Sequence, residues 1–226
     1  MGLEENYYSI CEGIRQAAGQ AGRDPASVRL VAVSKKQDPE KLRILWSCGQ
    51  RVFGENRVQE ARVKIPEMPA GGEWHFIGGL QTNKAKEAVE WFDVIQSVDR
   101  LDLATELQKR AEAAGKQLRV FLEVNVGGEA AKHGCAPEKA AELLAQVQSL
   151  SRLEVQGLMA IPPFREDPEK ARPFFRKLRE IRDQLEQGEG AALPELSMGM
   201  SHDHRVAIAE GATMVRIGTA LFGPRA

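Results

Sequence analysis

The chain has 226 residues, 42% of them hydrophobic and 28% charged, with 31 basic against 32 acidic side chains and a net charge of −1. That balance is ordinary for a globular protein with one sizeable core. The lack of a basic stripe argues against nucleic acid as a partner, and no apolar stretch approaches the roughly 18 residues of a membrane span. The N-terminus, MGLEENYYSI, lacks the basic-then-apolar layout of a secretory signal. Cys11, Cys48 and Cys135 are scattered and form no CxxC pair, which fits free thiols in a reducing cytoplasm.

Strand-like and helix-like stretches alternate along the chain. Residues 4–20 have helical spacing and precede the first apolar run, VRLVAVS at 28–34, which reads as a buried strand. Asp38 and Pro39 then open a helix over 38–48. RVFGEN at 51–56 is a short second strand, followed by a helix over 57–65. EWHFIG at 73–78 is the third strand, with its helix at 83–92. DVIQSV at 93–98 is the fourth, and LDLATELQKRAEAAG at 101–115 is a helix that stops at its glycine. LRVFLEVNV at 118–126 is the fifth strand. The stretch 137–150 is a helix with proline in its first turn. LEVQGLMAIP at 153–162 is the sixth strand. The amphipathic stretch 168–186 is a long helix whose Phe174, Phe175, Leu178, Ile181 and Leu185 form a core stripe. ELSMGMS at 195–201 is a seventh strand and turn, and a short helix follows over 204–212 with Asp203 as its N-cap. MVRIGT at 214–219 is the eighth strand, ahead of ALFG and a closing Pro-Arg-Ala.

About eight βα units in series, evenly spaced and closely joined, predict a (β/α)8 TIM barrel with one extra N-terminal helix, a single domain over residues 1–226. An open doubly wound sheet is the alternative. The absence of a glycine-rich dinucleotide loop after the first strand weighs against it. Gly71 with Gly72, and the stretch 188–190, read as loops inside the domain.

A barrel sends the C-terminal end of every strand to one rim, so polar residues meet there however distant in sequence. Lys35 leaves the first strand at that rim. Partial burial there lowers an ammonium's pKa and frees its amine for Schiff-base chemistry. A surface lysine just past a strand is the plainer alternative. Glu55 and Asn56 leave the second strand, His75 lies in or at the end of the third, and Asn125 lies near the end of the fifth. Ser197, Gly199, Met200 and Ser201 follow the seventh strand, and Gly218 and Thr219 the eighth. Small residues and hydroxyls after strands seven and eight have the character of a phosphate cradle, with two ordinary turns as the other reading. A lysine on strand one facing such a cradle points to pyridoxal phosphate. Arg216 lies inside the apolar run of Met214, Val215 and Ile217 and needs a partner. That partner is either a nearby carboxylate or the pyridine nitrogen of the cofactor. A guanidinium would keep that nitrogen unprotonated and the ring a weaker electron sink.

The segments AVSK (32–35), FGEN (53–56), VQEA (58–61), WHFIG (74–78), LQTNK (80–84), GLMAI (157–161), LSMGMS (196–201) and TMVRIGTALFG (213–223) together resemble the pyridoxal phosphate homeostasis protein family. These are single-domain relatives of the N-terminal barrel of alanine racemase, and the resemblance runs from about residue 5 to 223. It implies pyridoxal phosphate held on Lys35 as a Schiff base, with Asn56 beside the ring and Arg216 toward the ring nitrogen. Ser201, Gly218 and Thr219, with the Met200 backbone, would hold the phosphate. His75 and Ser197 join the expected cofactor-binding set on their rim placement. The family is regarded as a vitamin B6 carrier or regulator without settled catalysis, which implies transfer to apo forms of pyridoxal phosphate enzymes. Lys132 matches a position linked to secondary cofactor handling, with a solvated loop lysine as the other reading. The chain departs from the family's pattern at Gly79, at Ala212 and in its short Pro-Arg-Ala tail.

Racemisation needs acid/base groups on both faces of a carbanion. In alanine racemase a tyrosine from a second domain serves one face, and this chain leaves no room for that domain after strand eight. Tyr7 and Tyr8 sit in the N-terminal helix, where packing is the expected role. The expectation is therefore a monomeric carrier. The alternatives are an amino-acid racemase or related enzyme using His75 or His202 as base, and a Schiff-base aldolase without cofactor. The triplet His202, Asp203 and His204 offers three possible metal ligands, but side chains at a loop-to-helix junction diverge, and no metal is expected.

Overall fold

Helix α1 (Leu3–Gln20) lies outside the barrel and turns Tyr7, Ile14, Ala17 and Ala18 inward. After it, strands and helices alternate: β1 (Arg29–Val33), α2 (Pro39–Ser47), β2 (Val52–Glu55), α3 (Val58–Lys64), β3 (Glu73–Phe76), α4 (Ala85–Trp91), β4 (Val94–Val98) and α5 (Leu101–Ala113). The second half continues with β5 (Leu118–Glu123), α6 (Ala140–Gln148), β6 (Leu153–Met159), α7 (Arg172–Glu189), β7 (Glu195–Ser197), α8 (His204–Ala209), β8 (Met214–Ile217) and α9 (Thr219–Phe222). In this computed structural model, which describes residues 2–129 and 132–223, the strands are all parallel and close into a barrel in chain order, with β8 returning to β1. The predicted (β/α)8 barrel with an extra N-terminal helix is the fold observed. Residues 224–226, the closing Pro-Arg-Ala, lie outside the described residues.

Several boundaries differ from the sequence reading for local reasons. Pro137 and Pro168 each open a 3-10 turn, so α6 and α7 begin three or four residues later than predicted. Proline lacks the amide that an α-helical turn uses, and a tighter first turn accommodates it. Gly188 lies inside α7 instead of in a loop, and the helix stops only at the left-handed Gly190. Asp203 stands at the N-cap of α8, but its carboxylate turns back to accept from the Met200 amide at 2.7 Å instead of capping. Thr219 with Ala220, Leu221 and Phe222 forms the short α9, and Gly223 ends it.

Most of the core lies between the helices and the outer face of the strands. Phe175, Leu178 and Leu185 of α7 are buried there, as their spacing predicts. Each such fully buried side chain stabilises the fold by roughly 1.5–3 kcal/mol. A smaller apolar layer of Val31, Val94, Phe121, Met159 and Met214 fills the inside of the barrel. Below it, toward the N-terminal mouth, the filling is ionic. Arg29 bridges Glu73 at 3.3 Å and Glu195 at 2.8 Å, and Arg119 reaches Glu73 at 3.0 Å. Among the described residues no helix is long and apolar enough to cross a membrane.

Candidate cofactor site

The C-terminal rim is built first around β1. Ser34 is buried, and its hydroxyl donates to Glu55 Oε1 at 2.7 Å. Its carbonyl accepts from Lys64 Nζ at 2.7 Å and from the Gln37 amide at 3.0 Å. Lys64 Nζ also reaches Glu55 Oε1 and Glu60 Oε2, both at 2.8 Å. Glu60 Oε2 in turn accepts the Lys36 amide at 2.5 Å. Lys36 has φ 58°, the only left-handed non-glycine residue among those described, and that turn sets the exit of Lys35 from the strand. Lys35 is thus carried on a loop whose flanking residues are tied to a buried ion pair. Burial holds the Glu55 carboxyl above the ordinary range, although Lys64 and Ser34 pull it down.

Lys35 faces a rim pocket of about 250 Å³. Its lining also contains Val33, Asn56, Ile77, Ile161, Phe164, Met200, Ser201, His202, Arg216, Gly218 and Thr219. Seven of the nine residues expected from sequence meet here: Lys35, Asn56, Met200, Ser201, Arg216, Gly218 and Thr219. His75 and Ser197 do not line it. Both are fully buried inside the barrel, a layer lower. Side chains along a strand alternate, so His75 and Ile77 point the same way, and Ile77 takes the rim position. Ser197 lies beneath Arg216 and accepts from its Nη1 at 2.6 Å. Two other residues assigned to the rim serve the scaffold. Glu55 is buried under Lys64, and Asn125 braces its own loop by donating to the Glu129 carbonyl at 2.9 Å. Lys132 pairs with Glu129.

Arg216 is 3% exposed. Its second nitrogen donates to the Ala160 carbonyl at 2.9 Å, so both hydrogen-bond partners are neutral. Among the described residues, no carboxylate forms the ion pair with it that the sequence left open. Burial lowers its pKa to about 10, while the charges of Glu123 and Asp203 act to raise it. It therefore keeps its charge at neutral pH. Asn56 adds a second polar feature: its Oδ1 is buried and has no hydrogen-bond partner. A buried cation with neutral partners, an unpartnered acceptor, a lysine and a small-residue turn on one pocket make a donor set that fits pyridoxal phosphate. The cofactor's ring nitrogen, ring hydroxyl, aldehyde and phosphate match these groups in kind.

The cradle after β7 and β8 is held by backbone geometry. Ser201 Oγ accepts from the Ala220 amide at 3.2 Å and joins the two turns. The Met200 amide, expected at the phosphate, is already donated to Asp203. Gly199 has φ 91°, and a Cβ there would stand 2.6 Å from Ala207 Cβ and 3.0 Å from His204 Cα. Gly199→Ala is therefore expected to destabilise the protein by more than about 1 kcal/mol in urea unfolding. His202 Nε2 donates to the Glu166 carbonyl at 2.8 Å, and His204 Nδ1 donates to Met200 O at 3.2 Å, so the two rings diverge.

Sequence reading missed Glu123, Gln96, Ile161 and Phe164. Glu123 is 5% exposed near the end of β5, and burial, with Asp99 adding, raises its pKa to about 7 against the pull of Arg216. A charged residue inside LRVFLEVNV carried the same signal that singled out Arg216. Phe164 and Ile161 belong to the loop after β6, where no periodicity reports on position. At Gly79, a departure from the family pattern, a Cβ would lie 2.4 Å from His133 Nε2. The imidazole occupies the space a side chain would need.

The family model described as alanine racemase, N-terminal domain, matches residues 12–226, and the barrel is of that class. A pyridoxal phosphate homeostasis protein of Aquifex aeolicus is 50% identical over 98% of this chain and 97% of its own. One from Pseudomonas aeruginosa is 45% identical over 99% and 96%. The chain belongs to the pyridoxal phosphate homeostasis protein family. Among solved structures, PipY of Synechococcus elongatus PCC7942 with PLP bound superposes at a TM-score of 0.86 with 37% identity, covering 98% of this chain and 100% of that one. An alanine racemase from Clostridium difficile 630 superposes at 0.78 with 15% identity over 99% of this chain and 56% of that one, a likeness of fold alone.

Proposed function

We propose that this chain binds pyridoxal phosphate at the rim pocket, through Lys35, and serves intracellular vitamin B6 homeostasis by holding the cofactor and handing it to apo-enzymes. When bound, the cofactor supplies an aldehyde that condenses with a primary amine to a Schiff base, releasing water. Lys35 contributes that amine from a loop fixed by Ser34 and Lys64. Arg216 donates toward the ring nitrogen and leaves it unprotonated, because a guanidinium does not give up its proton near neutrality. Ser201, Gly218 and Thr219 take the phosphate, and Asn56 lies beside the ring. The single observation that carries this reading is Arg216: a buried cation bound only to neutral oxygens, lining the same pocket as Lys35. The names of the relatives and the cofactor in the PipY structure support it.

The protein is read as cytoplasmic and monomeric, with no amino-acid turnover at an enzyme-like rate. Tyr7 is buried against α2 outside the barrel and Tyr8 is exposed, so neither serves the pocket as a second base. The test is spectroscopic. Purified protein given pyridoxal phosphate should gain a visible absorption band, lose it on borohydride treatment, and carry the reduced label on Lys35 by peptide mapping. Lys35→Ala should show neither band nor label. A label elsewhere, or robust racemisation lost with Lys35→Ala, would overturn the reading.

A further inference from the structure

The inside of the barrel contains an unbroken hydrogen-bond chain from the pocket to its opposite mouth. Arg216 Nη1 donates to Ser197 Oγ at 2.6 Å. Ser197 Oγ donates to Gln96 Oε1 at 2.6 Å. Gln96 Nε2 meets His75 Nδ1 at 2.6 Å, and His75 Nε2 meets Glu73 Oε1 at 2.5 Å. Gln96 extends from β4 across the interior to β7, and its amide also touches Met214 Sδ at 3.0 Å. Every link is buried except Glu73, which Arg29 and Arg119 hold from the N-terminal mouth.

The two ends dictate the direction of every bond between them. A guanidinium can only donate and a carboxylate can only accept. Glu73 is ionised, since the His75 hydrogen bond and Arg119 outweigh burial and lower its pKa to about 2. Ser197 accepts from Arg216 and must pass its own proton to Gln96 Oε1. The amide nitrogen of Gln96 then points at His75 Nδ1, which accepts, leaving the proton on Nε2 for Glu73. Reversing Gln96 would strand the serine proton and set a bare imidazole nitrogen against a carboxylate. His75 is neutral in this arrangement, and burial lowers its pKa, with Glu73 opposing. Bonds aligned in series polarise one another in a low-dielectric interior.

We propose that Ser197, Gln96 and His75 are positioning residues for Arg216, fixing the direction and donor strength of its guanidinium toward the pocket from the anionic Glu73 at the far end of the barrel. The inference rests on pyridoxal phosphate occupying the pocket, and it assigns His75 and Ser197 a role that needs no contact with the cofactor. It predicts that cutting the chain at either side of the apolar layer is felt at the pocket.

Two measurements test it. In cofactor-free protein, nitrogen-15 NMR of labelled histidine should show His75 neutral, with the proton on Nε2, between pH 6 and 8. A proton on Nδ1 would overturn the chain's direction and the inference with it. In cofactor-loaded protein, Ser197→Ala and Gln96→Leu should each weaken pyridoxal phosphate about tenfold, the loss of one hydrogen bond to a charged group, and shift the visible band while borohydride still labels Lys35. Ser197→Ala removes one oxygen and serves where Gln96→Leu does not fold. Lower melting temperature with affinity and band unchanged would overturn the inference. If the unaltered protein takes up no cofactor, the pocket's reading fails, and the NMR result still decides the chain's direction.

Discussion

Replacing Lys64 by methionine is expected to destabilise the protein by about 3–5 kcal/mol, the range seen when one partner of a buried ion pair is removed. Lys64 is 6% exposed and Glu55 fully buried, so the substitution leaves a carboxyl in the barrel wall with no cation to answer it. Glu55 Oε2 already lacks a hydrogen-bond partner, so the network has no spare donor to recruit. The effect should grow with pH, because burial then pushes Glu55 still further toward its neutral form and ionising it becomes costlier. Urea unfolding at pH 6 and pH 8 measures this. Adding Glu55→Leu should recover much of the loss, since an apolar pair of similar volume is tolerated where a single buried charge is not. If the double variant is as unstable as the single one, the ion pair is not the cause. Cofactor uptake should fall with the single substitution, because the Ser34 carbonyl loses the Lys64 contact that steadies the Lys35 turn.

Glu123→Gln should raise stability at pH 8 by up to about 3 kcal/mol and change it little near pH 4. The folded chain holds the Glu123 proton up to about pH 7, from an ordinary value of 4.5, chiefly because of burial, with Asp99 adding and Arg216 opposing. Between those two values the native state binds more protons than the unfolded one, so stability through this group falls as pH rises across the window and stays low above it. An amide has no such ionisation to suffer. Equilibrium unfolding of both proteins at pH 4, 6 and 8 gives the comparison. Curves separated by the same amount at all three would assign the difference to packing instead of charge.

The barrel was legible because each apolar run of strand length was followed by a helical one, and the two ends of the site because charge inside an apolar run is conspicuous. Arg216 lay inside such a run and Lys35 immediately after one. Ser201, Gly218 and Thr219 stood out as small residues where two late strands end. Depth inside the barrel was not legible. A period of two says which residues face inward and nothing about which inward layer they occupy, so His75 was read as rim and Ile77 was overlooked. Strand ends caused the same confusion at Ser197, since β7 is only three residues long. Gln96 and Glu123 faced inward by the same alternation and needed the neighbouring strands before their partners could be seen. The Met200 amide was expected at the phosphate from the family resemblance, and nothing in the sequence showed that Asp203, expected to cap the next helix, would claim it.

Gly79 and His133 have a consequence for how this chain can diverge. The ring of one stands in the volume the other would need for even a methyl group. The constraint runs one way: a side chain at the first displaces the imidazole, whereas trimming the second only leaves two exposed positions open to solvent. Lineages that carry a side chain at the first should show the ring at the second moved or replaced, while the second can change beside a retained glycine.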